Sequence, residues 1–418
     1  MYQAPRGTYD VLPSQQPFWR YVESSLSNSA QSFGYSRIDT PIFEDTNVFL
    51  RSVGLETDII GKEMYTFQDR GGQDLSLRPE GTAAVCRAYI EHGMQNSALP
   101  VRLFYYAPMF RYDRPQAGRY RQLQQFGVEA IGDPDPALDL EVIELAMFSL
   151  QTLGLKSLRL VINSIGDTVD RPSYIKALIK FLAPYYESLG KDDQRRLEVN
   201  PLRILDSKDE KATKIAEAAP KSTDFLGSDA KQHWESLLKL LDFAGINYEI
   251  DHKLVRGLDY YTRTVFEIQP LDQGAQSTIC AGGRYDGLIE TLGGTPTPAI
   301  GWAAGVDRMI LNLLKEEAGE VPLPSPSITM AYSGESPKLQ SISIARLLRN
   351  AGHTVTLAPE RSLRSQLRYA ASLGSKYVVI IGAKEFSEEA VTLRDMDAGN
   401  QTSMTLEELL PALSKAKK

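Results

Sequence analysis

Cysteine and histidine are scarce in this chain: its 418 residues include two cysteines, Cys86 and Cys280, and four histidines. The cysteines show neither metal-ligand spacing nor a disulfide framework, so each is expected to pack as a small apolar residue. The histidines form no HExxH pair, which argues against a zinc enzyme, and no protein-held metal is expected. Long apolar runs are missing too. None approaches the roughly 20 residues that cross a bilayer, and the N-terminal residues lack a signal-peptide pattern. A cytoplasmic chain with no membrane contact is expected. An excess of positive charge is also lacking, since the net charge is −7, and bulk electrostatics therefore give no sign of a nucleic-acid partner. The charges are unevenly spread, however. From Ser325 onward 12 Lys and Arg stand against 9 Asp and Glu, leaving 34 against 44 for the rest. A mildly basic C-terminal part on an acidic body permits nucleic-acid binding there. The length allows two or three domains with ample core.

The most informative stretch runs from Phe110 to Gly132. An apolar run, Leu103 to Phe110, leads into it, broken by Pro108. Arg111, Arg114, Arg119 and Arg121 then crowd a segment broken by Pro115 and Gly118, and an alternating run follows from Leu123 to Ile131. The pattern predicts strand, exposed loop and returning strand. Guanidinium forks bind phosphate oxygens in pairs and keep their charge at any working pH. Such a hairpin suits a polyphosphate, a nucleic-acid end, or both; a solvated basic tip is the plainer alternative.

The rest of the chain organises around it. A helix is expected over about Gln15–Phe33, and a strand over Ile38–Phe43, with Pro41 favouring an edge or interface position. Tyr65–Phe67 and Asp74–Leu77 bracket a turn at Asp69–Gly72, and a helix is expected over Ala83–Glu91. Another helix is expected over Leu138–Gly154 and a strand over Leu158–Asn163. From Pro172 to about Asp229 the composition is helical and charged, with no catalytic motif. Val265–Ile268 and Ser277–Cys280 read as paired strands ahead of a Gly282-Gly283 turn. Ala299–Val306 is rich in small residues, and a helix follows from Asp307 to Glu317. Pro322, Pro324 and Pro326 mark a linker. Beyond it, Ile328–Tyr332, Thr354–Leu357 and Tyr377–Ile381 read as strands separated by helices Pro337–Asn350 and Leu363–Leu373. A hairpin turning at Asp397–Asn400 and a helix Leu406–Leu413 complete a small α/β module.

The Phe110–Gly132 stretch resembles motif 2 of class II aminoacyl-tRNA synthetases, in the form found in the histidyl-tRNA synthetase family. Leu77-Arg78-Pro79-Glu80-Gly81-Thr82, Leu254 to Tyr261, Ala281 to Asp286 and Gly301 to Arg308 resemble further family motifs in the family's order. The resemblance implies an α+β fold: an antiparallel catalytic sheet flanked by helices over residues 1–323, with a helical insertion at about 172–229. It also implies an anticodon-binding α/β domain over 327–418, and a homodimer built through the motif 1 region at Ile38–Phe43. The implied reaction joins histidine to the 3′ end of its tRNA through histidyl-adenylate, with ATP as substrate and Mg²⁺ on the ATP tail.

The same resemblance assigns residues. Arg111 and Arg256 are the catalytic candidates, placed to hold the α-phosphate from opposite sides. Glu80, Gly81, Thr82, Gln125, Glu129, Tyr260, Tyr261 and Tyr285, with the two arginines, are expected to bind histidine. Asp113, Arg119, Tyr120 and Arg308, again with both arginines, are expected to bind ATP. Gln116, Arg119 and Arg121 are expected to meet the acceptor end of tRNA, including the extra guanosine of histidine tRNA. Asp113 stands where the family usually has glutamate, and Leu123-Gln124 where it usually has an aromatic–histidine pair. The rival reading is a catalytically inactive regulatory paralogue, the ATP phosphoribosyltransferase regulatory subunit. That paralogue typically lacks the C-terminal domain and has a degraded Arg256 region, and both are intact in this sequence.

Overall fold

The computed structural model describes residues 2–53, 57, 59–115, 118–271, 278–315 and 327–415. The chain divides into two compact units, Met1–Val321 and Pro322–Lys418, each taken by itself below. No described helix is long and apolar enough to cross a membrane.

The strands of the first unit are β1 (Ser36–Arg37), β2 (Phe43–Asp45), β3 (Tyr65–Gln68), β4 (Asp74–Leu77), β5 (Val101–Phe110), β6 (Gln122–Ile131), β7 (Leu158–Ser164), β8 (Glu249–Ile250), β9 (Thr262–Pro270), β10 (Cys280–Arg284) and β11 (Ala299–Gly305). Eight of them form one sheet in the order β1-β5-β6-β11-β10-β9-β7-β8. Its middle is antiparallel, and the short edge strands β1 and β8 pair in parallel. The sheet has two unlike faces because side chains alternate along each strand. Phe104, Phe126, Val128, Ile300, Trp302, Phe266 and Ile268 point one way, into a core shared with helices Gln16–Ser32, Pro136–Thr152 and Ser228–Ala244. Val22, Leu26, Val142, Ile143, Ala146, Leu237 and Leu241 supply the helical side of that core, all fully buried.

The opposite face carries the small residues. One row across the sheet runs Glu129, Gly301, Gly283, Val265, and the next runs Gly127, Ala303, Ala281, Glu267. A side chain at several of these positions has nowhere to go: a Cβ on Gly301 would overlap the Glu129 carboxylate, and one on Gly127 the Tyr105 ring. The run of small residues therefore makes a hollow over the sheet.

Two sequence expectations are corrected. Ile38–Phe43 is not one strand. The chain leaves the large sheet after Arg37 and joins a three-stranded sheet, β2-β4-β3, at Phe43. The carbonyls of Thr40 and Pro41 between them accept hydrogen bonds from the buried Arg78 guanidinium at 2.7 and 3.1 Å, so this backbone is satisfied by a side chain rather than by a ladder. Gly282-Gly283 is not a turn but lies inside β10, paired on both sides. Glycine is required there because a Cβ on Gly282 would meet the Gly301 carbonyl, and one on Gly283 would lie 2.5 Å from the Thr264 carbonyl. The 172–229 stretch is helical: Arg171–Leu182, Lys191–Val199 and Glu210–Ala216 are helices joined by 3₁₀ turns. Ser277, Glu317 and the three linker prolines lie outside the described residues.

The second unit is a five-stranded mixed sheet. Its strands, β12 (Ser327–Tyr332), β13 (Thr354–Leu357), β14 (Tyr377–Ile381), β15 (Ala390–Asp395) and β16 (Gln401–Thr405), lie in the order β13-β12-β14-β15-β16. The first three are mutually parallel, as helical crossovers require, and the inner pair β12 and β14 is buried. β15 and β16 form the expected hairpin. The unit has its own apolar cores, around Ile328, Met330, Val379 and Ile381 on one face and Val378, Ile380 and Ala370 on the other.

Candidate active site

The hollow over the large sheet is a cleft of about 880 Å³. Glu80, Thr82, Arg111, Asp113, Arg119, Tyr120, Gln125, Arg256, Tyr260, Tyr261, Tyr285 and Arg308 all line it. Residues from far-apart segments are thus brought together. Three of the expected residues that the structure describes, Gly81, Glu129 and Arg121, are not part of that lining. Arg121 has its guanidinium 3.7 Å over the Tyr112 ring, and its backbone nitrogen donates to the Gly7 carbonyl at 2.7 Å. Gln116 lies outside the described residues.

At one end of the cleft the groups are carboxyl and phenol. Glu80 sits just ahead of helix Thr82–Glu91 and accepts from the backbone nitrogens of Thr82 and Ala83 at 2.7 and 2.9 Å, satisfying donors a helix start leaves free. Gly81 is held bare by the Tyr105 ring, which occupies the space of a Cβ. Glu129 lies beneath Gly301 rather than on the cleft wall. Its carboxylate accepts from the Thr82 hydroxyl at 2.7 Å and from the Tyr285 hydroxyl. Burial pushes the Glu129 carboxyl up to about 8; the hydroxyl donors of Tyr285 and Thr82 oppose that rise, while the nearby Glu80 charge adds to it. The Tyr260 ring stands 4.7 Å from Tyr261 and 5.7 Å, edge-on, from Tyr285. Gln125 has a buried Oε1 with no hydrogen-bond partner among the described residues, an acceptor that a bound donor would satisfy.

At the other end the groups are guanidinium. Arg308 donates to the carbonyls of Thr278 at 2.6 Å and Gly118 at 3.3 Å. Its pKa is lowered, first by burial and then by the charges of Arg119 and Arg111. Like charges gathered this closely in a partly desolvated place favour a polyanion between them. Asp113 lies 3.6 Å from Arg119, a partial counter-charge. Arg111 stands between the two ends: its charge acts on Glu80 on one side and on Arg308 on the other, and its Nε donates to the Pro79 carbonyl at 2.7 Å. Arg256 is paired with Glu267, whose second oxygen accepts from Thr278 and Gln269 at 2.6 and 2.8 Å.

The family model described as histidyl-tRNA synthetase matches residues 7–309, and one described as anticodon binding domain matches residues 335–416. The chain belongs to the histidyl-tRNA synthetase family. A histidine–tRNA ligase of Dehalococcoides mccartyi is 51% identical, over 99% of this chain and 100% of that one. One from Thermosynechococcus vestitus is 47% identical over 98% and 95%. The crystal structure of apo Staphylococcus aureus histidyl-tRNA synthetase superposes with a TM-score of 0.82 at 38% identity, covering 99% of this chain and all of that one. These full-length relatives favour the ligase over the regulatory paralogue.

Several cleft residues were not legible in the sequence. Glu267 is the lone charge on the otherwise apolar Val265–Ile268 run, a signal that could have marked it. Asp307 lines the cleft, and its carboxylate accepts from the Gln124 nitrogen at 3.1 Å and from the Tyr9 hydroxyl. Arg196, Arg203 and Lys208 reach the cleft from the helical insertion. No motif announces them, because their role depends on how the insertion folds back.

Proposed function

We propose that the cleft joins histidine to ATP and then passes histidine to tRNA. The observation that carries this reading is the two-ended cleft: a phenol and carboxyl pocket at one end, crowded guanidiniums at the other, and Arg111 between them. An oxygen of the histidine carboxylate bonds to the α-phosphorus of ATP. The bond from that phosphorus to the bridging oxygen breaks, and its electron pair leaves with pyrophosphate. A hydroxyl oxygen of the terminal tRNA ribose then bonds to the carbonyl carbon of the adenylate; the bond from that carbon to the phosphate oxygen breaks, AMP leaves with its electron pair, and the hydroxyl proton passes to the departing phosphate or to water. Such chemistry needs positioning and fixed positive charge more than covalent help.

Glu80, Thr82 and Gln125 are assigned to the ammonium group, with the unpartnered Gln125 Oε1 as the clearest acceptor. Tyr261 is assigned to one imidazole nitrogen and Glu129 to the other, reached from beneath the wall once the Thr82 or Tyr285 hydroxyl that it now accepts from gives way; Gly81, Tyr260 and Tyr285 are assigned to the pocket walls. Arg111 and Arg256 hold the α-phosphate; Arg119 and Arg308, with Asp113 and Tyr120, hold the rest of ATP. Arg256 reaches the phosphate by loosening its pair with Glu267. Magnesium ordinarily rides on nucleotide phosphates with one or two protein carboxylates. Glu267 is a cleft-lining carboxylate that suits that part, and the ion would neutralise phosphate charge there. Gln116, Arg119 and Arg121 are assigned to the acceptor end of tRNA. A homodimer through the motif 1 region is supported by the exposed Ile42, Phe43 and Phe67 on or beside the small sheet, and sedimentation of the whole chain tests it. The site of action is the cytoplasm.

The deciding experiment is ATP–pyrophosphate exchange with each of the twenty amino acids in turn. Exchange with histidine and only traces with the others is the expected result. A site built to hydrogen-bond a ring rejects apolar competitors, because its own polar groups would stay unpaired. Folded protein that exchanges with no amino acid would overturn the reading.

A further inference from the structure

The turn that carries Arg256 is built on the helical insertion. Residues 251–261 form neither helix nor strand. Their apolar side chains Leu254, Val255 and Leu258 share one core with Leu197, Ile204 and Leu205 of the insertion. The insertion also meets the turn's polar groups. Asn200 Nδ2 donates to Asp259 Oδ1 at 3.1 Å, and Arg171 Nη1 donates to the Asp259 carbonyl at 3.3 Å. Arg203 Nη1 donates to the carbonyl of Arg256 itself at 3.4 Å. That bond is long, but the donor is charged. The same nitrogen would lie 3.1 Å from a Cβ on Gly257, so glycine there lets the guanidinium lie against the turn. Asp206, 3.9 Å from Arg203, offsets part of the charge it brings beside Arg256.

We infer that Arg203 is a positioning residue for Arg256. By gripping the Arg256 carbonyl from the insertion, it fixes the direction in which the Arg256 side chain enters the cleft. The insertion thereby acts on the adenylation step, and a shift of the insertion is felt at the α-phosphate. The inference rests on the reading of Arg256 as a phosphate donor.

Single-turnover adenylate formation is measured for the whole chain and for Arg203→Ala, Arg203→Lys, Arg256→Ala and the double variant Arg203→Ala/Arg256→Ala, each beside a thermal melt. Misplacing a reacting group by about 1 Å costs up to roughly 100-fold, so Arg203→Ala should slow the step by roughly 10- to 100-fold while the KM for histidine stays within about two-fold. Arg203→Lys, which keeps a charged donor, should recover much of the rate. In the Arg256→Ala background the second change should cost almost nothing further, because the group it positions is gone. An equal loss in both backgrounds would show that Arg203 acts on substrate by itself and overturn the inference. So would a normal rate in Arg203→Ala, or a loss that follows the melting temperature and is not recovered by lysine. A normal rate in Arg256→Ala would instead sink the reading of Arg256, and the inference with it.

Discussion

Burial and a neighbouring carboxylate hold the Glu129 carboxyl near 8 against an ordinary 4.5, despite two hydroxyl donors. A carboxyl whose folded value is raised binds more protons folded than unfolded across that interval. Its contribution to stability is therefore greatest at acid pH, falls as pH rises from about 4.5 to about 8, and is level beyond. The slope from one such group is at most about 1.4 kcal/mol per pH unit. Glu129→Gln, which carries no ionisable proton, should flatten the pH dependence of unfolding in that window and raise the KM for histidine. Denaturant titrations at a series of pH values check it, and an unchanged slope would assign the proton uptake elsewhere. Arg256 poses a different question, because in the structure it is both a cleft group and the partner of Glu267. Arg256→Ala should lower the rate of adenylate formation by roughly 10²–10³, the usual scale for losing one such donor, with little change in the histidine KM. Glu267 keeps Thr278 and Gln269, so the melting temperature should fall only slightly. Arg256→Lys should recover little, since an ammonium cannot reproduce the guanidinium fork. Steady-state kinetics beside thermal melts separate the catalytic part from the structural one.

Among the elements, those with a strong period were legible and those defined by partners were not. The β5–β6 hairpin and the helix after Pro136 follow from alternation and helical spacing that suffice by themselves. Gly282-Gly283 looked like a turn because paired glycines usually are; only the Gly301 and Thr264 carbonyls beside them explain why a central strand is built from glycine. Arg284, within the same motif, is fully buried and ties β10 to Asp139 at 2.7 Å and Asp286 at 3.0 Å. Tyr285 was read as a pocket residue, but its hydroxyl also braces Glu129, which no periodicity reveals. The N-terminal segment is the clearest case of an element without its own pattern. Its Gly7 carbonyl takes the Arg121 nitrogen, and the Tyr9 ring packs 4.6 Å from Tyr120. The Tyr9 hydroxyl donates to Asp307 beside the cleft. Two anchors thus hold the motif 2 loop from a segment far away in sequence. Tyr9→Phe should take one hydrogen bond from the buried Asp307 carboxylate while the Gln124 nitrogen still donates to it, costing about 1–3 kcal/mol. The KM for ATP should rise, while the histidine KM stays close to normal. A melt unchanged from the parent chain, with both KM values normal, would show that the segment merely lies over the loop.

At the scale of the whole molecule, charge and chemistry are divided along the chain. The cleft, with every group assigned to adenylation, belongs to the first unit. The second unit has a separate sheet and separate cores, and from Ser325 onward it carries 12 Lys and Arg against 9 Asp and Glu. The match of residues 335–416 to an anticodon binding domain gives that charge a use. We propose that a chain ending near Leu323 keeps histidine-dependent pyrophosphate exchange, because no adenylation group is removed and the remaining core is intact. Charging of tRNA should suffer much more, through a higher KM for tRNA. Lys and Arg contacts to phosphate release counterions, so log affinity falls with log salt in proportion to the number of contacts, about 0.7 per contact for single strands. The whole chain should therefore show the steeper salt dependence of tRNA KM and the shortened chain the shallower one. The two arms report different things: exchange at saturating histidine tests whether the first unit is self-sufficient, and the salt slope tests whether the second unit touches phosphate. Undiminished charging at low tRNA concentration, with an unchanged salt slope, would show that the C-terminal unit serves another purpose than tRNA binding.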